Sequence, residues 1–88
     1  MNNLLTYKAA LTKSFFRALE KLPEDIKDKA LTAVDEILKN PYSGIKLRGE
    51  LEGRWRWRVG KYRIIYMIEG DSQLVVFLDV GLRKAIYE

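Results

Sequence analysis

The spacing of hydrophobic and polar positions changes once along the chain, near Pro41. Before Pro41, apolar residues recur every three or four positions, which predicts helices; after it they alternate or run together, which predicts strands. Helices and strands segregated in this way are typical of an α+β domain. We therefore expect the order βααβββ in a single domain over residues 1–88, with a helical hairpin packed on one face of a mostly antiparallel sheet.

The first half of the chain predicts one strand and two helices. The strand is expected at Leu4–Leu11. Thr12 is a suitable N-cap for a helix that continues to Lys21, and Pro23 suits the first position of a second helix, which Asn40-Pro41 ends. Apolar positions recur at helical spacing on the first helix, at Phe15, Phe16, Leu19 and Leu22. On the second helix they form one apolar stripe, Ile26, Ala30, Ala33, Val34, Ile37 and Leu38.

The second half predicts a short extended segment followed by a three-stranded meander. The extended segment is Lys46–Arg48, and the strands of the meander are Arg54–Val59, Tyr62–Ile68 and Gln73–Val80. A two-residue turn that starts with glycine, Gly60-Lys61, joins the first two strands. The third is a nearly unbroken apolar run, which indicates an interior strand, and Gly81 is expected to end it.

The strand Arg54–Val59 alternates arginine with bulky apolar residues. Because side chains of a strand point to opposite faces in turn, the arginines share one face and the tryptophans the other. We expect Trp55 and Trp57 to pack in the core with the helices, rather than to be exposed stacking platforms. Asp79, a lone carboxylate near the end of the last strand, is expected to pair with an arginine.

Composition narrows the chemistry. The 88 residues carry a net charge of +4 and include neither histidine nor cysteine. Structural zinc is therefore disfavoured, and a Ser–His or Cys–His nucleophile is excluded. Seven basic residues but only two acidic ones lie between Lys46 and Arg63. Five of the seven are arginines, which suit bidentate contacts to phosphate; the alternative is a solvated basic face that only keeps the protein soluble.

Phosphoryl chemistry without a metal fits this composition best. Two-metal nucleases need clustered carboxylates, whereas the acidic residues here lie mostly on predicted helix surfaces or beside arginines. RNA brings its own nucleophile, the 2′-hydroxyl, so that positively charged groups alone can orient and stabilise the reacting phosphate. We expect no metal and no cofactor. The longest apolar run, Leu74–Leu78, is too short to span a membrane, and the N-terminus lacks a signal-peptide pattern, so we expect a cytoplasmic protein.

Three spaced motifs carry a family resemblance: Lys46-Leu47-Arg48-Gly49, the run from Trp57 to Tyr66, and the run from Val80 to Tyr87. With the helical hairpin, they resemble the RelE/ParE superfamily of toxins from toxin–antitoxin systems over nearly the whole chain. The resemblance implies a RelE-like fold. It also implies a RelE-type activity: metal-independent cleavage of mRNA in the ribosomal A site by attack of the 2′-hydroxyl, held inactive by a cognate RelB-like antitoxin. The implied partners are thus this antitoxin, the ribosome and mRNA.

The resemblance also implies roles for individual residues. Arg63 would contact the scissile phosphate, and Arg83 would stabilise the transition state or protonate the leaving group. Tyr87 would stack on a base or orient the nucleophile; the alternative for Tyr87 is packing over the core. Arg56 and Arg58 match basic residues that RelE members carry on the strand before the turn. Arginine does not deprotonate, so electrostatic activation is expected in place of a general base. The predicted RNA-binding residues outside this catalytic set are Lys46, Arg48, Arg54, Lys61 and Lys84.

Two other functions remain open from the sequence. ParE-type members share the fold, lack the catalytic set and inhibit DNA gyrase, so this chain could be a non-enzymatic gyrase inhibitor. The joint presence of Arg58, Arg63, Arg83 and Tyr87 favours the RelE branch. A plain RNA-binding module that uses the basic face is the second alternative.

Overall fold

Two helices lie on one face of a five-stranded sheet in the computed structural model, which describes residues 6–82. The helices are α1 (Lys13–Glu20) and α2 (Glu24–Lys39). The strands are β1 (Lys8–Leu11), β2 (Ile45–Lys46), β3 (Arg54–Val59), β4 (Tyr62–Glu69) and β5 (Leu74–Leu82). Two short 3-10 turns, Pro41–Ser43 and Gly49–Leu51, flank β2.

The strand order across the sheet is β1-β5-β4-β3-β2. Strand β1 is parallel to β5, and every other neighbouring pair is antiparallel. The predicted α+β architecture with a mostly antiparallel sheet is therefore confirmed. Strand β5 is interior, as its apolar run predicted, because β1 and β4 pair with its two edges.

The N-terminus of α1 is tied to the sheet through one side chain. Thr12 Oγ1 accepts a hydrogen bond from the Phe15 N–H at 3.1 Å, as the capping prediction required, and donates to the Phe77 carbonyl of β5 at 2.9 Å. The cap thus satisfies a free helix N–H and also fixes where the helix starts on the sheet.

The core lies between the helices and the face of the sheet that carries the tryptophans. Its fully buried members come from both layers and include Phe15, Ile37, Ile64, Tyr66 and Phe77. Trp55 and Trp57 are half-buried and pack against this cluster, which confirms their predicted place in the core. Trp55 stacks on Tyr66, with 6.4 Å between ring centroids.

Several predicted boundaries differ from the structure by one or two residues. Pro23 has an extended ψ of 150° and is the N-cap of α2, so the helix begins at Glu24. Strand β2 is Ile45–Lys46 rather than Lys46–Arg48. Gly81 does not end β5, because it pairs with Arg63 of β4 and the strand continues to Leu82.

Phe16, one of the apolar positions at helical spacing on the first helix, does not belong to the core. Phe15 and Leu19, four residues apart, face the sheet, whereas Phe16 lies about 100° further round the helix and is 51% exposed. Helix α1 has only eight residues and packs mainly on β5, so nothing among residues 6–82 covers its outer side.

The predicted first strand is shorter than expected, and part of it falls outside the described residues. Pairing with β5 begins only at Lys8, and the N–H of the preceding Tyr7 donates to the Leu38 carbonyl at the end of α2. Residues 4 and 5 of the prediction lie outside the range that the structure describes. Within residues 6–82, no helix is long and apolar enough to cross a membrane.

Candidate functional site

The register of the sheet places four arginines on the face opposite the helices. Arg58 of β3 pairs directly with Arg63 of β4, and Arg56 and Arg54 follow at two-residue steps along β3. Residues directly opposite in an antiparallel pair project to the same face, so all four lie together. We call Arg54, Arg56, Arg58 and Arg63 the arginine face. The two-residue turn that aligns Arg58 with Arg63 is as predicted, and Gly60 takes the positive φ, 61°, that its first position requires.

The four side chains differ in exposure. Arg58, next to the turn, is exposed, Arg54 and Arg56 are half-buried, and Arg63 is only 4% exposed. Charge interactions of a buried guanidinium are screened less by water than those of an exposed one. The Nε of Arg54 is buried and makes no hydrogen bond within residues 6–82. A buried N–H group without a hydrogen-bond partner gains free energy when an acceptor such as a phosphate oxygen binds to it.

Not every predicted RNA-binding residue belongs to this face. Lys46 pairs with Trp55, so its side chain projects to the tryptophan side of the sheet. Lys46 and Arg48 line a separate cleft of about 410 Å³ together with Leu47 and Glu52. Lys61 lies in the exposed turn between Arg58 and Arg63 and adds positive charge at that end of the arginine face.

The remaining predicted residues have two different outcomes. Arg83, Lys84 and Tyr87 lie outside the described residues. The expected pairing of Asp79 with an arginine is not found within residues 6–82: Asp79 Oδ1 accepts from the Val80 N–H at 2.9 Å. Asp79 lies opposite Ile65, beside an irregularity in the β4–β5 pairing, and its side chain projects to the same face of the sheet as the arginines.

The fold coincides with that of a known group of proteins. The family model for ParE toxins of type II toxin–antitoxin systems matches residues 9–87. The chain belongs to this toxin family. Among curated relatives, Toxin RelE from Mycobacterium tuberculosis is 35% identical over 83 residues, which cover 92% of this chain and 86% of the relative. Toxin RelG from the same organism is 34% identical over 85 residues, which cover 94% and 98%.

Solved structures of RelE toxins resemble this chain. The toxin–antitoxin complex RelBE2 from M. tuberculosis contains a chain that superposes with a TM-score of 0.81 at 32% identity, over 91% of this chain and 94% of that one. A chain of the archaeal RelE–RelB complex from Pyrococcus horikoshii superposes with a TM-score of 0.75 at 28% identity, over 89% and 96%. This chain is therefore a RelE-like toxin of a type II system.

The structure also reveals residues of the toxin that sequence reasoning missed. Tyr66 is fully buried and its hydroxyl donates to the Pro41 carbonyl at 2.7 Å, which anchors the turn before β2. Burial raises the pKa of Tyr66 well above its ordinary value, with the backbone of Gly44 acting in the opposite direction. Ser43, Gly44 and Ile45 line a cleft beside Arg56 and Arg58. From the sequence, Asn40-Pro41 was interpreted only as the end of the second helix, and nothing in the residues that follow indicated a cleft.

The carboxylates of the toxin do not gather at one place. Among residues 6–82, no group of three or more aspartate or glutamate side chains lies close enough together to hold a metal ion. The sheet face of the arginines carries one carboxylate beside them, because Asp79 lies opposite Ile65, which itself pairs with Arg56.

Proposed function

We propose that the toxin is a ribosome-dependent mRNA endoribonuclease that inhibits translation. The observation that supports this most is the direct pairing of Arg58 with Arg63, with Arg56 one step along the same face. Arginines at such two-residue steps lie about 7 Å apart along a strand, a spacing that suits consecutive phosphates of an extended single strand.

The proposed reaction uses the RNA as its own nucleophile. The 2′-oxygen forms a bond to the adjacent phosphorus while the bond from phosphorus to the 5′-oxygen breaks, which leaves a 2′,3′-cyclic phosphate upstream and a 5′-hydroxyl downstream. The 2′-hydroxyl proton is lost to water and the departing 5′-oxygen gains one. Guanidinium groups stabilise the negative charge that grows on the phosphate oxygens and lower the pKa of the nearby hydroxyl, since arginine itself does not act as a base.

Individual roles within this reaction follow the family resemblance and are part of the proposal. Arg63 holds the scissile phosphate, with Arg56 and Arg58 beside it. Arg83 stabilises the transition state or protonates the leaving oxygen, and Tyr87 stacks on a base or orients the nucleophile. Arg48, Arg54, Lys61 and Lys84, together with Lys46 at the sheet edge, are proposed to contact the RNA backbone.

The proposed partners are the ribosome, mRNA and a RelB-like antitoxin. Solved relatives in complex with RelB antitoxins support the last of these, and an acidic partner segment complements the arginine face. Because the substrate is translated mRNA, we place the toxin in the cytoplasm. The catalytic proposal needs neither a metal nor a cofactor.

The test is to add the purified toxin to ribosomes translating a defined mRNA and to map the RNA ends. We expect cuts confined to the A-site codon, with a cyclic phosphate on the upstream fragment. Arg58→Ala and Arg83→Ala should each lower the cleavage rate by a factor on the order of 10² or more. Arg17→Ala removes the same charge from the exposed surface of α1 and should cleave like the wild type. Full activity of both site variants would refute the proposal.

Gyrase inhibition is the second candidate, because the matching family model is that of ParE toxins. The purified toxin would then block DNA supercoiling and leave ribosome-bound mRNA intact. A third outcome separates simple RNA binding from catalysis: single arginine substitutions would lower affinity and its salt dependence gradually, and no new RNA ends would form.

A further inference from the structure

Strand β2 is shorter than its neighbour β3, so that one residue of β3, Arg58, has no strand paired with it on the β2 side within residues 6–82. Leu47 N–H donates to the Arg54 carbonyl at 2.9 Å, and backbone groups alternate between the two sides of an antiparallel strand. The N–H and C=O of Arg54, Arg56 and Arg58 therefore all point towards β2. Strand β2 begins at Ile45, opposite Arg56, so within residues 6–82 no strand pairs with the backbone of Arg58 on that side.

An open cleft of about 350 Å³ lies at this place. Its lining is Ser43, Gly44, Ile45, Arg56, Trp57 and Arg58; we call it the edge cleft. The volume is at the lower end of the range, roughly 300–1,000 Å³, that small-molecule sites occupy. The cleft combines an apolar wall at Ile45, a hydroxyl at Ser43 and two guanidiniums with the outward-facing N–H and C=O of Arg58. It is thus equipped to hold a flat, partly apolar group with donors and acceptors at its rim.

The floor of the edge cleft is held rigidly. The Tyr66 hydroxyl fixes the Pro41 carbonyl, and Gly44 passes so close that a Cβ at this position would collide with that hydroxyl and lie 2.8 Å from the Arg56 carbonyl oxygen. Only glycine fits this approach. Because the floor is fixed, little ordering is needed when a ligand enters.

The kind of ligand that fits the edge cleft is indicated by the single unpaired residue at this edge of β3 and by the positive charge around it. Addition of a peptide strand relies on a row of main-chain hydrogen bonds, whereas one residue offers a single donor and a single acceptor. A single unpaired base needs no more than that, because its edge is read by a few hydrogen bonds and its faces by apolar contact. The adjoining Arg56 and Arg58 belong to the arginine face, so a sugar–phosphate backbone that follows them passes the mouth of the cleft.

We infer that the edge cleft is a specificity subsite that receives one unpaired nucleotide of the RNA, next to the nucleotide whose phosphate contacts the arginine face. The inference rests on the proposed function and adds a site for base selection to it. The donor and acceptor of Arg58, with the Ser43 hydroxyl, read the edge of the base, and Ile45 contacts its ring.

The first test needs no catalysis. Amide chemical shifts of the full-length ¹⁵N-labelled toxin are followed during titration with a three-nucleotide single-stranded RNA. The inference predicts saturable shifts at residues 43–45 and at the Arg58 amide. The inference is overturned if the chemical shifts of these amides stay constant while those of other amides in β3 and β4 change. It is also overturned if these amides respond to an extended acidic peptide and not to RNA.

The second test measures base selection on translating ribosomes. Ser43→Leu fills the cleft from an exposed position, and Ser43→Ala removes only the hydroxyl. Each is expected to change the preference among bases at one codon position, by about tenfold for the larger substitution, since one well-made base contact contributes discrimination of this order. Ser14→Leu, the same exchange on the exposed side of α1, should keep the wild-type preference, and thermal melting checks that all variants fold.

The failures of the two proposals can be told apart. Wild-type toxin that cuts normally, with a base preference unchanged in both Ser43 variants, overturns the subsite and leaves the endoribonuclease intact. Wild-type toxin that makes no cuts refutes the endoribonuclease, and the amide titration then decides by itself whether the cleft binds a nucleotide.

Discussion

The hydroxyl of Tyr66 is expected to stabilise the turn that precedes β2 by an amount that one substitution measures. Tyr66 is fully buried, and its hydroxyl donates to the Pro41 carbonyl at 2.7 Å. Tyr66→Phe keeps the ring, its stacking on Trp55 and nearly all of its buried area. The substitution removes the hydrogen bond to the Pro41 carbonyl and the hydroxyl's interaction with the Gly44 backbone. It leaves a carbonyl without its partner at Pro41, which is itself fully buried.

The loss of stability in Tyr66→Phe depends on the acceptor that the missing hydroxyl leaves behind. A buried acceptor left unsatisfied costs about 1–3 kcal/mol, more than the net value of a solvent-compensated hydrogen bond. We expect the free energy of unfolding of Tyr66→Phe to fall by this amount. For a domain of this length, each kcal/mol corresponds to a decrease in Tm of about 4–8 °C.

Urea unfolding followed by tryptophan fluorescence suits the measurement, because Trp55 and Trp57 both pack against the core that Tyr66 belongs to. Tyr62→Phe is the matched control: Tyr62 is half-buried on the same strand, and its hydroxyl makes no hydrogen bond within residues 6–82. The control should change stability by less than about 0.5 kcal/mol. Equal stability of the two variants would refute the anchoring role of the Tyr66 hydroxyl.

Three further predictions concern the same framework. Thr12→Ala should destabilise the fold by about 1–2 kcal/mol in urea unfolding, because it removes both the cap of Phe15 N–H and the bond to β5. Gly44→Ala should cost about 1–3 kcal/mol in the same assay, since the added Cβ forces β2 away from the Arg56 carbonyl. Stability of the wild type should decrease as pH rises above about 10, because burial raises the pKa of Tyr66 and the unfolded chain then releases its proton first; Tyr66→Phe should lose part of this decrease in alkaline unfolding curves.

Controls for these predictions are available in the chain. Ser14→Ala lies on the exposed side of α1 and should leave stability within about 0.5 kcal/mol of the wild type. Gly70→Ala places its Cβ 3.3 Å from the Tyr42 hydroxyl, a milder approach to the end of an exposed side chain than the contact with backbone at Gly44. If Gly70→Ala proved as costly as Gly44→Ala, the close approach at Gly44 would not be the cause. An alkaline profile identical in wild type and Tyr66→Phe would contradict the assignment to Tyr66.

The sequence was sufficient to predict the centre of the arginine face. Strict alternation over β3 assigned arginines and tryptophans to opposite faces, and a two-residue turn leaves only one register for the next strand. Arg58 therefore had to lie opposite Arg63, as observed. Both inferences depend on local geometry alone, which is why no tertiary information was needed.

The edges of the sheet were less predictable. Strand β2 has two residues, and a shift of one residue reverses the face of every side chain in a strand. Because the register of β2 could not be predicted, Lys46 was grouped with the RNA-binding residues. In the structure its side chain projects to the face of the sheet that carries Trp55. The pairing between β4 and β5 is also irregular between Ile65 and Tyr66, and such an irregularity leaves no clear mark in the sequence.

The edge cleft required the structure for a different reason. The cleft lies where the chain passes from the Pro41–Ser43 turn through Gly44 into strand β2. Its residues come from two segments of the chain and share no motif. A glycine after a proline-containing turn indicates a close approach of the backbone to its neighbours. It does not indicate which residues will line a cleft there.

In the proposed reaction the 2′-hydroxyl of the RNA attacks the adjacent phosphate while arginines stabilise the negative charge. The most direct measurement places a single 2′-deoxynucleotide at a mapped cleavage position of an mRNA on stalled ribosomes and compares it with the all-ribose message. The account predicts cleavage of the ribose message and none at the deoxy position, because the nucleophile is missing. Equal cleavage of both messages would contradict the account and require a nucleophile from elsewhere.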